Sequence, residues 1–283
     1  KISFFLIFFS HSIFKFYPNR SKVMKYHFLV LSLIGLLLIN IPFADAHKTT
    51  GADENHSFET AFLIEDHTLS RVSFQELEPN KQNYYAFEGL ANQKFFMEMV
   101  IPKDSRTAFF TPEIVFIGTP SQIVNISKQL HNPVCTMDHS MASDCSFKVK
   151  QIGYKFNDPN ADFPIPVGYR GLLVSYDGEL PSEEHYEPFS QTTFYQRQGV
   201  EFTLPETSWY WIVVYDDDFE IGDNRYALAT GYVEDWDLLS LIDFAKSWID
   251  AKIFTNDSTS ILIVISAIGI TAFAVMYRSV NRE

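Results

Sequence analysis

Five carboxylates crowd one short stretch of the sequence. In "YDDDFEIGDNRY", residues 215–226, they are Asp216, Asp217, Asp218, Glu220 and Asp223. Carboxylates this close repel one another, and a Ca²⁺ ion, which prefers hard oxygen ligands, would relieve that repulsion. The spacing is not that of an EF-hand. The stretch therefore predicts either a calcium site or, as the alternative, a solvated hairpin tip.

Two cysteines, Cys135 and Cys145, enclose the loop "CTMDHSMASDC". Outside the cytosol, a pair this close is most simply a disulfide that closes a short loop. If the thiols were free, Met137, His139 and Met141 would add soft ligands that suit Cu(I). The disulfide is the favoured interpretation, and it removes both thiolates from any metal site.

His47 follows the small residues of Ala44-Asp45-Ala46, which occupy the positions that a signal peptidase reads. Cleavage after Ala46 would give His47 a free α-amine. That amine and the ring nitrogen could chelate Cu(II), as in the histidine brace of copper oxygenases. A brace needs a second histidine from the fold, and no spacing identifies one, so a copper-binding protein or copper enzyme that uses His47 is the alternative hypothesis for the function.

Aromatic and amide side chains mix in "HYEPFSQTTFYQRQ", residues 185–198. β-Sandwiches often hold sugars or peptides on such platforms. The candidate ligand-binding residues are Tyr186, Glu187, Phe189, Gln191, Tyr195, Gln196 and Arg197. The alternative is an ordinary pair of strands with a polar face. The sequence holds no nucleophile elbow, HExxH motif or Gly-rich phosphate loop, which favours a non-enzymatic protein.

The two ends of the chain predict a membrane-anchored, exported protein. Residues 1–23 precede the first methionine, Met24, and are interpreted as an upstream leader outside the native protein, the alternative being a genuine longer leader. Residues 24–46 form the expected signal peptide, an uncleaved signal anchor being the alternative. Residues 260–277 carry no charge and match the length of a membrane-spanning helix. Arg278 and Arg282 place the tail, 278–283, on the cytoplasmic side.

This type I topology makes the exported part strongly acidic. Of the 22 basic and 35 acidic side chains, 15 and 33 lie between His47 and Tyr277, a net charge of −18 there against −13 for the whole chain. Such a charge argues against nucleic acid as a partner. The 46% hydrophobic and 16% aromatic content argues against disorder.

Short alternating segments predict an all-β domain over 47–232, a β-sandwich or jelly roll. The expected strands are Ala61–Glu65, Ser70–Phe74, Tyr84–Glu88, Lys94–Ile101, Glu113–Ile117, Phe147–Ile152, Arg170–Tyr176, Val200–Leu204, Trp209–Tyr215 and Arg225–Thr230. No helix is expected between them. After Gly231 the period changes, and an amphipathic helix is expected over 233–254. Its apolar positions are Leu238, Leu241, Ile242, Ala245, Trp248 and Ile249. It would lie at the membrane surface or, equally, pack on the sandwich.

Two stretches, "NYYAFEGLANQKFFMEMVIP" (83–102) and "PETSWYWIVVYDDDFEIGDNRYALATG" (205–231), resemble bacterial pre-peptidase C-terminal β-sandwich domains. That resemblance implies a compact, secreted, non-catalytic jelly roll that assists binding or targeting. The whole chain also resembles membrane-tethered ectodomain proteins of archaea and bacteria that have no established activity. They share an "AH" start, "YEPFSQT" and a terminal span.

The sequence as a whole predicts a single-pass membrane protein with its bulk outside the cytoplasm. Its expected function is to bind a protein, a glycan or an envelope component. Calcium and, as the alternative, copper are the cofactors that its residues suggest.

Overall fold

A computed structural model describes residues 48–50, 55–79, 81–104, 106–130, 147–153, 165–187, 190–216, 224–234 and 240–280. Within these ranges lie twelve strands: β1 (Lys48–Thr50), β2 (Phe62–Leu63), β3 (Arg71–Glu76), β4 (Asn83–Gly89), β5 (Lys94–Pro102), β6 (Glu113–Gly118), β7 (Phe147–Ile152), β8 (Arg170–Tyr176), β9 (Glu184–Glu187), β10 (Thr192–Thr203), β11 (Ser208–Tyr215) and β12 (Arg225–Thr230). The described helices are α1 (Pro120–Leu130), α2 (Ser240–Phe254) and α3 (Ser258–Val280).

The strands form two six-stranded sheets. Sheet 1 has the order β1-β3-β12-β5-β10-β9, and sheet 2 the order β2-β4-β11-β6-β8-β7. Aromatic rings interlock between the sheets. Phe95 of sheet 1 stacks on Phe87 of sheet 2 with 4.7 Å between ring centroids, and it meets Phe116 edge to face at 5.5 Å. The prediction of an all-β architecture is confirmed at the level of two packed sheets.

Helix α1 was not expected from the sequence, although its start carries a recognisable signal. The Thr119 amide donates to Gln122 Oε1 at 2.7 Å, and the Gln122 amide donates to Thr119 Oγ1 at 3.4 Å. This reciprocal pair is a capping box, and Pro120 follows at the first helical position. Ile123, Ile126 and Leu130 point into the core at helical spacing. The "GTP" at 118–120, a combination that is typical of turns, therefore begins a helix.

Helix α2 packs on the outer face of sheet 1. Phe254 stacks on Phe74 of β3 with ring centroids 4.5 Å apart. Lys252 is 1% exposed; its Nζ donates to the Gln191 carbonyl at 3.3 Å and pairs with Asp257 at 2.8 Å. Packing on the sandwich, one of the two expected placements of this helix, is therefore observed for its described half.

The buried face of that half agrees only in part with the one that the apolar periodicity predicts, since Trp248 is half-buried. Ser247 and Ala251 are buried, whereas Ile249 and Ile253 are 43% and 61% exposed. Small side chains allow a helix to approach a sheet closely, and this gives the described contacts a physical reason. The side chains of residues 235–245, which include the expected Leu238, Leu241, Ile242 and Ala245, lie outside the described part.

Residues Ala44–Ile261 form one compact unit, and Leu262 onward belongs to a second. Within the part of the chain that the structure describes, no helix has both the length and the hydropathy that a membrane crossing requires. The expected span at 260–277 stays a prediction.

The ring stack between α2 and β3 supports a test of helix docking. We expect Phe254→Ala to lower the free energy of unfolding by about 1–3 kcal/mol, because the variant loses half-buried apolar surface and an aromatic pair. Ile253→Ala, next in the helix and largely exposed, should change it by less than about 0.5 kcal/mol. Urea unfolding of the full chain measures both, and equal losses in the two variants would contradict the observed face.

Candidate ligand-binding site

A cavity of about 390 Å³ lies where one edge of the sandwich opens between the sheets. Sheet 2 contributes β2 and Tyr85 of β4, and sheet 1 contributes β3 and β12. The segment 64–70, which carries the chain from β2 to β3, closes the end. Gly231 holds this crossing against β12. It has φ of 77°, and a Cβ there would lie 2.1 Å from the Leu69 carbonyl oxygen, so only glycine fits.

Strand β3 turns a polar face toward the cavity. Arg71, Ser73 and Gln75 pair with Thr230, Leu228 and Tyr226 of β12, respectively. Paired residues share a face of the sheet, and Leu228 and Tyr226 belong to the core. The polar residues of β3 therefore point inward, while Val72 and Phe74 point outward toward helix α2. The sequence predicts this strand but not the cavity, although the alternating polar residues of "RVSFQE" are a signal for a polar face.

Tyr85, on the floor of the cavity, belongs to a buried hydrogen-bond network that continues behind it. The hydroxyls of Tyr85 and Tyr226 share a hydrogen bond of 2.8 Å across the two sheets, and Asn83 Nδ2 donates to Tyr226 at 2.8 Å. Burial raises the pKa of Tyr85 to about 12, so both phenols stay neutral. Ser73, 5% exposed, lies close enough to Tyr85 to lower the pKa of that phenol, but its Oγ forms no hydrogen bond of regular geometry with a described residue. A buried hydroxyl without a partner indicates an unfilled polar position.

The mouth of the cavity carries both signs of charge. Arg71 Nη1 donates to the Ser70 carbonyl at 3.1 Å, and no described carboxylate lies within ion-pair distance of its guanidinium. Asp66 Oδ1 accepts from the Thr68 amide at 2.9 Å and from its hydroxyl at 2.7 Å. Partial burial raises the pKa of Asp66. The two hydrogen bonds from Thr68 and the charges of His67 and Arg71 lower it by more, so the net shift is downward. Glu65 is exposed beside it.

Apolar side chains line the remaining wall: Phe62, Leu63, Ile64, Leu69 and Leu228. Together with the floor and the mouth, they give an apolar chamber with a few polar groups at defined points. This combination is typical of a small-molecule site.

The candidate residues at 185–197 do not converge on one surface. Tyr195 lies on the core side of β10, and Tyr186 is 55% exposed on β9. Glu187 Oε2 accepts from the Ser190 amide at 2.5 Å, and Gln191 has φ of 51° in the turn between the strands. Phe189 lies outside the described residues.

Arg197 is 5% exposed and holds loops together. Its Nε and Nη2 donate to the carbonyls of Phe110 and Ala108 at 2.9 and 3.0 Å, and its guanidinium lies 5.3 Å from the Tyr176 ring centroid. Burial lowers the pKa of Arg197 to about 10, a value at which it keeps its charge at neutral pH. These contacts give Arg197 a structural role. They leave almost none of its side chain exposed to a ligand.

Gln196 faces outward and donates to Glu98 Oε1 at 3.3 Å. Glu98 lies on β5 between Met97 and Met99, which point into the core, so its side chain occupies the outer face of sheet 1. It is 4% exposed between Gly199 of β10 and Ala229 of β12. Burial raises the pKa of Glu98 from its usual 4.5 to about 8, against the smaller effect of the Gln196 bond.

Most of the predicted metal and disulfide positions lie outside the described residues: His47, Cys135, Cys145, Asp217, Asp218, Glu220 and Asp223. Asp216 is described just after the end of β11. Within the described ranges, no three His, Cys, Asp or Glu side chains are grouped to hold a metal ion. The calcium, copper and disulfide assignments stay predictions.

No family model matches the chain, and no curated protein matches it in sequence. Among solved structures, the chain is similar to CorA, a surface-associated copper-binding protein important in copper acquisition by Methylomicrobium album BG8. The identity is 13% and the TM-score 0.27, over 66% of this chain and 100% of that one. It is also similar to the secreted protein MopE of Methylococcus capsulatus, in which an oxidized tryptophan facilitates copper binding. Here the identity is 11% and the TM-score 0.19, over 53% of this chain and 69% of that one.

These identities and TM-scores are too low to transfer the copper binding of either protein to this chain. The resemblance to pre-peptidase C-terminal domains also stays a prediction.

The buried carboxyl of Glu98 predicts a pH dependence of stability. Between about pH 4.5 and 8 the folded chain keeps a proton that the unfolded chain has released. Stability from this group is therefore complete below pH 4.5 and is lost as the pH rises to about 8. We expect Glu98→Gln to remove this loss, which amounts to at most about 1.4 kcal/mol per pH unit.

The measurement is urea unfolding of wild type and variant at intervals from about pH 5 to about pH 8.5, which brackets the window of this proton release. The difference between the two should grow toward the upper end. Glu88→Gln, at an exposed position of β4, serves as the matched control and should run parallel to wild type. A Glu98→Gln curve that also runs parallel would contradict the assignment.

Proposed function

We propose that this chain is a non-enzymatic binding module that takes a small amphipathic ligand in the cavity between β2 and β3. In this proposal it works outside the cytoplasm and is held at the membrane by residues 260–277. The observation that carries the proposal is the buried Ser73 hydroxyl, which lines the cavity and, apart from its close approach to Tyr85, has no hydrogen-bond partner among the described residues. Release of the full chain from membranes by alkaline carbonate alone would contradict the anchoring.

Three features of the cavity support a small ligand. Its volume, about 390 Å³, falls within the range of small-molecule pockets. Its apolar wall would receive a hydrocarbon or aromatic body, whose burial supplies the main driving force. Ser73 and Arg71 offer hydrogen-bond donors that the described residues leave largely unused, and such groups fix the orientation of a ligand.

A cavity-filling variant tests this proposal. Ser73→Ile keeps a side chain that suits a strand and adds bulky apolar groups toward the cavity. The probes are 4-fluoro-L-phenylalanine and its N-acetyl, amide and N-acetyl amide derivatives, which differ in charge. We expect these compounds to bind the wild-type full chain in lipid nanodiscs, as seen by ¹⁹F line broadening. The variant should lose this broadening, with empty nanodiscs as the blank.

Ser208→Ile, the same substitution at a half-buried strand position of sheet 2, is the matched control and should bind like wild type. The denaturation midpoint of each variant verifies folding. Absence of broadening with all four compounds on wild type, or equal broadening with Ser73→Ile, would overturn the proposed function.

Copper binding through His47 is a second candidate, favoured by the position of His47 directly after the predicted cleavage site. Lys48, the next residue, pairs with Arg71 at the edge of sheet 1. We expect the mature chain, cleaved after Ala46, to bind one Cu(II) if this hypothesis holds. Replacing His47 with Ala, or adding one glycine before it, should each abolish binding. Metal analysis after dialysis measures the stoichiometry, and copper retained by either variant would exclude the amine-and-imidazole site.

A further inference from the structure

The charged side chains at the cavity mouth differ in which of their polar atoms lack a hydrogen-bond or ion-pair partner among the described residues. The Arg71 side chain makes a single hydrogen bond, to the Ser70 carbonyl, and its charge acts on Asp66 without an ion pair to any described carboxylate. Asp66 uses one oxygen, Oδ1, for the Thr68 turn and leaves Oδ2 without a described contact. Glu65 makes no hydrogen bond or ion pair to a described residue. The mouth therefore presents an available cation beside two available carboxylates.

The positively and negatively charged side chains lie on different walls of the cavity. Arg71 lies on β3, where its pairing with Thr230 fixes it on the inner face of sheet 1. Glu65 and Asp66 lie on the segment that leaves β2 of sheet 2, anchored where the Ile64 amide donates to the Ala86 carbonyl at 2.8 Å. A molecule entering between the sheets would thus meet a positive group on one side and negative groups on the other.

We propose that the cavity binds a free amino acid with an apolar side chain. The carboxylate of the amino acid pairs with Arg71, its ammonium group lies against Glu65 and Asp66, and its side chain enters the chamber above Leu228 and Tyr85. This inference rests on the proposed function, and it names the chemical class of the ligand.

A single charge on the ligand fits this mouth less well. A simple carboxylate would pair with Arg71 but face two like charges, and a simple amine would leave Arg71 unpaired and face it as a like charge. A zwitterion satisfies both signs at once and brings no net charge to a strongly acidic domain. Planar, two-pronged pairing of a guanidinium with a carboxylate adds directional specificity.

The floor of the cavity limits which side chain the bound amino acid can carry. Tyr85 and Tyr226 already bond to each other, so the Ser73 Oγ is the polar atom left open at depth among the described residues of the cavity. An apolar side chain fills the space above it, and a terminal hydroxyl on that side chain could reach it.

Four compounds with one common body separate the charge requirements. They are 4-fluoro-L-phenylalanine, its N-acetyl derivative, its amide, and its N-acetyl amide, which are respectively zwitterionic, anionic, cationic and neutral. Titration of the full chain in nanodiscs, followed by ¹⁹F NMR, gives a dissociation constant for each. We expect the zwitterion to bind at least about tenfold more tightly than each of the other three.

Two variants then assign the charges. Arg71→Gln should weaken the zwitterion about tenfold and bring it level with the cationic amide, whereas the amide itself should not weaken. Glu65→Gln combined with Asp66→Asn should instead bring the zwitterion level with the anionic derivative. The Asp66→Asn substitution removes the charge but retains a side-chain oxygen that can accept from Thr68. Arg170→Gln, at an arginine of β8 in sheet 2, is the control and should change none of the four constants.

The outcomes separate this inference from the proposed function. If the neutral compound binds as tightly as the zwitterion and Ser73→Ile abolishes both, the cavity binds ligands and the amino-acid inference is overturned. If Arg71→Gln leaves the preference for the zwitterion intact, the inference is also overturned. If none of the four compounds binds wild type, both proposals fall.

Discussion

The structure depends on one constraint, which is that strand β3 has an apolar face and a polar face and must direct one of them into the sandwich. Its apolar residues, Val72 and Phe74, point outward because helix α2 covers that side, with Phe254 stacked on Phe74. Its polar residues then have to point inward, next to the core. An apolar interior cannot close around a guanidinium and a serine hydroxyl without a penalty, because buried polar groups need partners. The open cavity at this edge is the physical consequence.

Two other groups of buried polar side chains in the interior do have partners. The hydroxyls of Tyr85 and Tyr226 share one hydrogen bond, and Tyr226 accepts a second from Asn83, so the two sheets are joined beside the cavity. Arg197 is buried, but backbone carbonyls and two tyrosine rings surround it. Ser73 lacks an equivalent arrangement among the described residues. Asn83 Oδ1 and Ser190 Oγ are also buried without a described partner, and Ser73 differs from them in that it lines the cavity.

The strands were largely predictable from the sequence, because alternation and β-branched content fix where extended segments run. Trp209–Tyr215, apolar on both faces, is the central strand β11 of sheet 2, between β4 and β6. The short strands β1 and β9 and helix α1 were not predicted. For α1 a capping box was present, but the neighbouring "GTP" suggested a turn. Secondary structure is encoded locally, and those omissions concern weak or competing local signals.

The site was harder to predict because it depends on which face of each element is covered, and coverage is a tertiary property. The stretch 185–197 is rich in ligand-type side chains, yet alternation along β10 sends Tyr195 inward and Gln196 outward, so its residues are divided between two faces. Conversely, "RVSFQE" looks like an ordinary surface strand until α2 is placed. A helix that comes much later in the chain decides that Arg71 and Ser73 face inward.

Strand β3 therefore contributes to two features of the fold. Its outer face is the docking surface of α2, and its inner face is the wall of the cavity. Any molecule that binds only this arrangement of Arg71 and Ser73 stabilises the arrangement, and with it the packing of Phe254 on Phe74, because binding and conformation are thermodynamically linked. Since α2 directly precedes α3, with Asp257 Oδ2 accepting from both Lys252 Nζ and Ser260 Oγ, β3 lies between the cavity and the segment that leads out of the domain. A ligand in the proposed site would therefore contact the same strand that packs against α2.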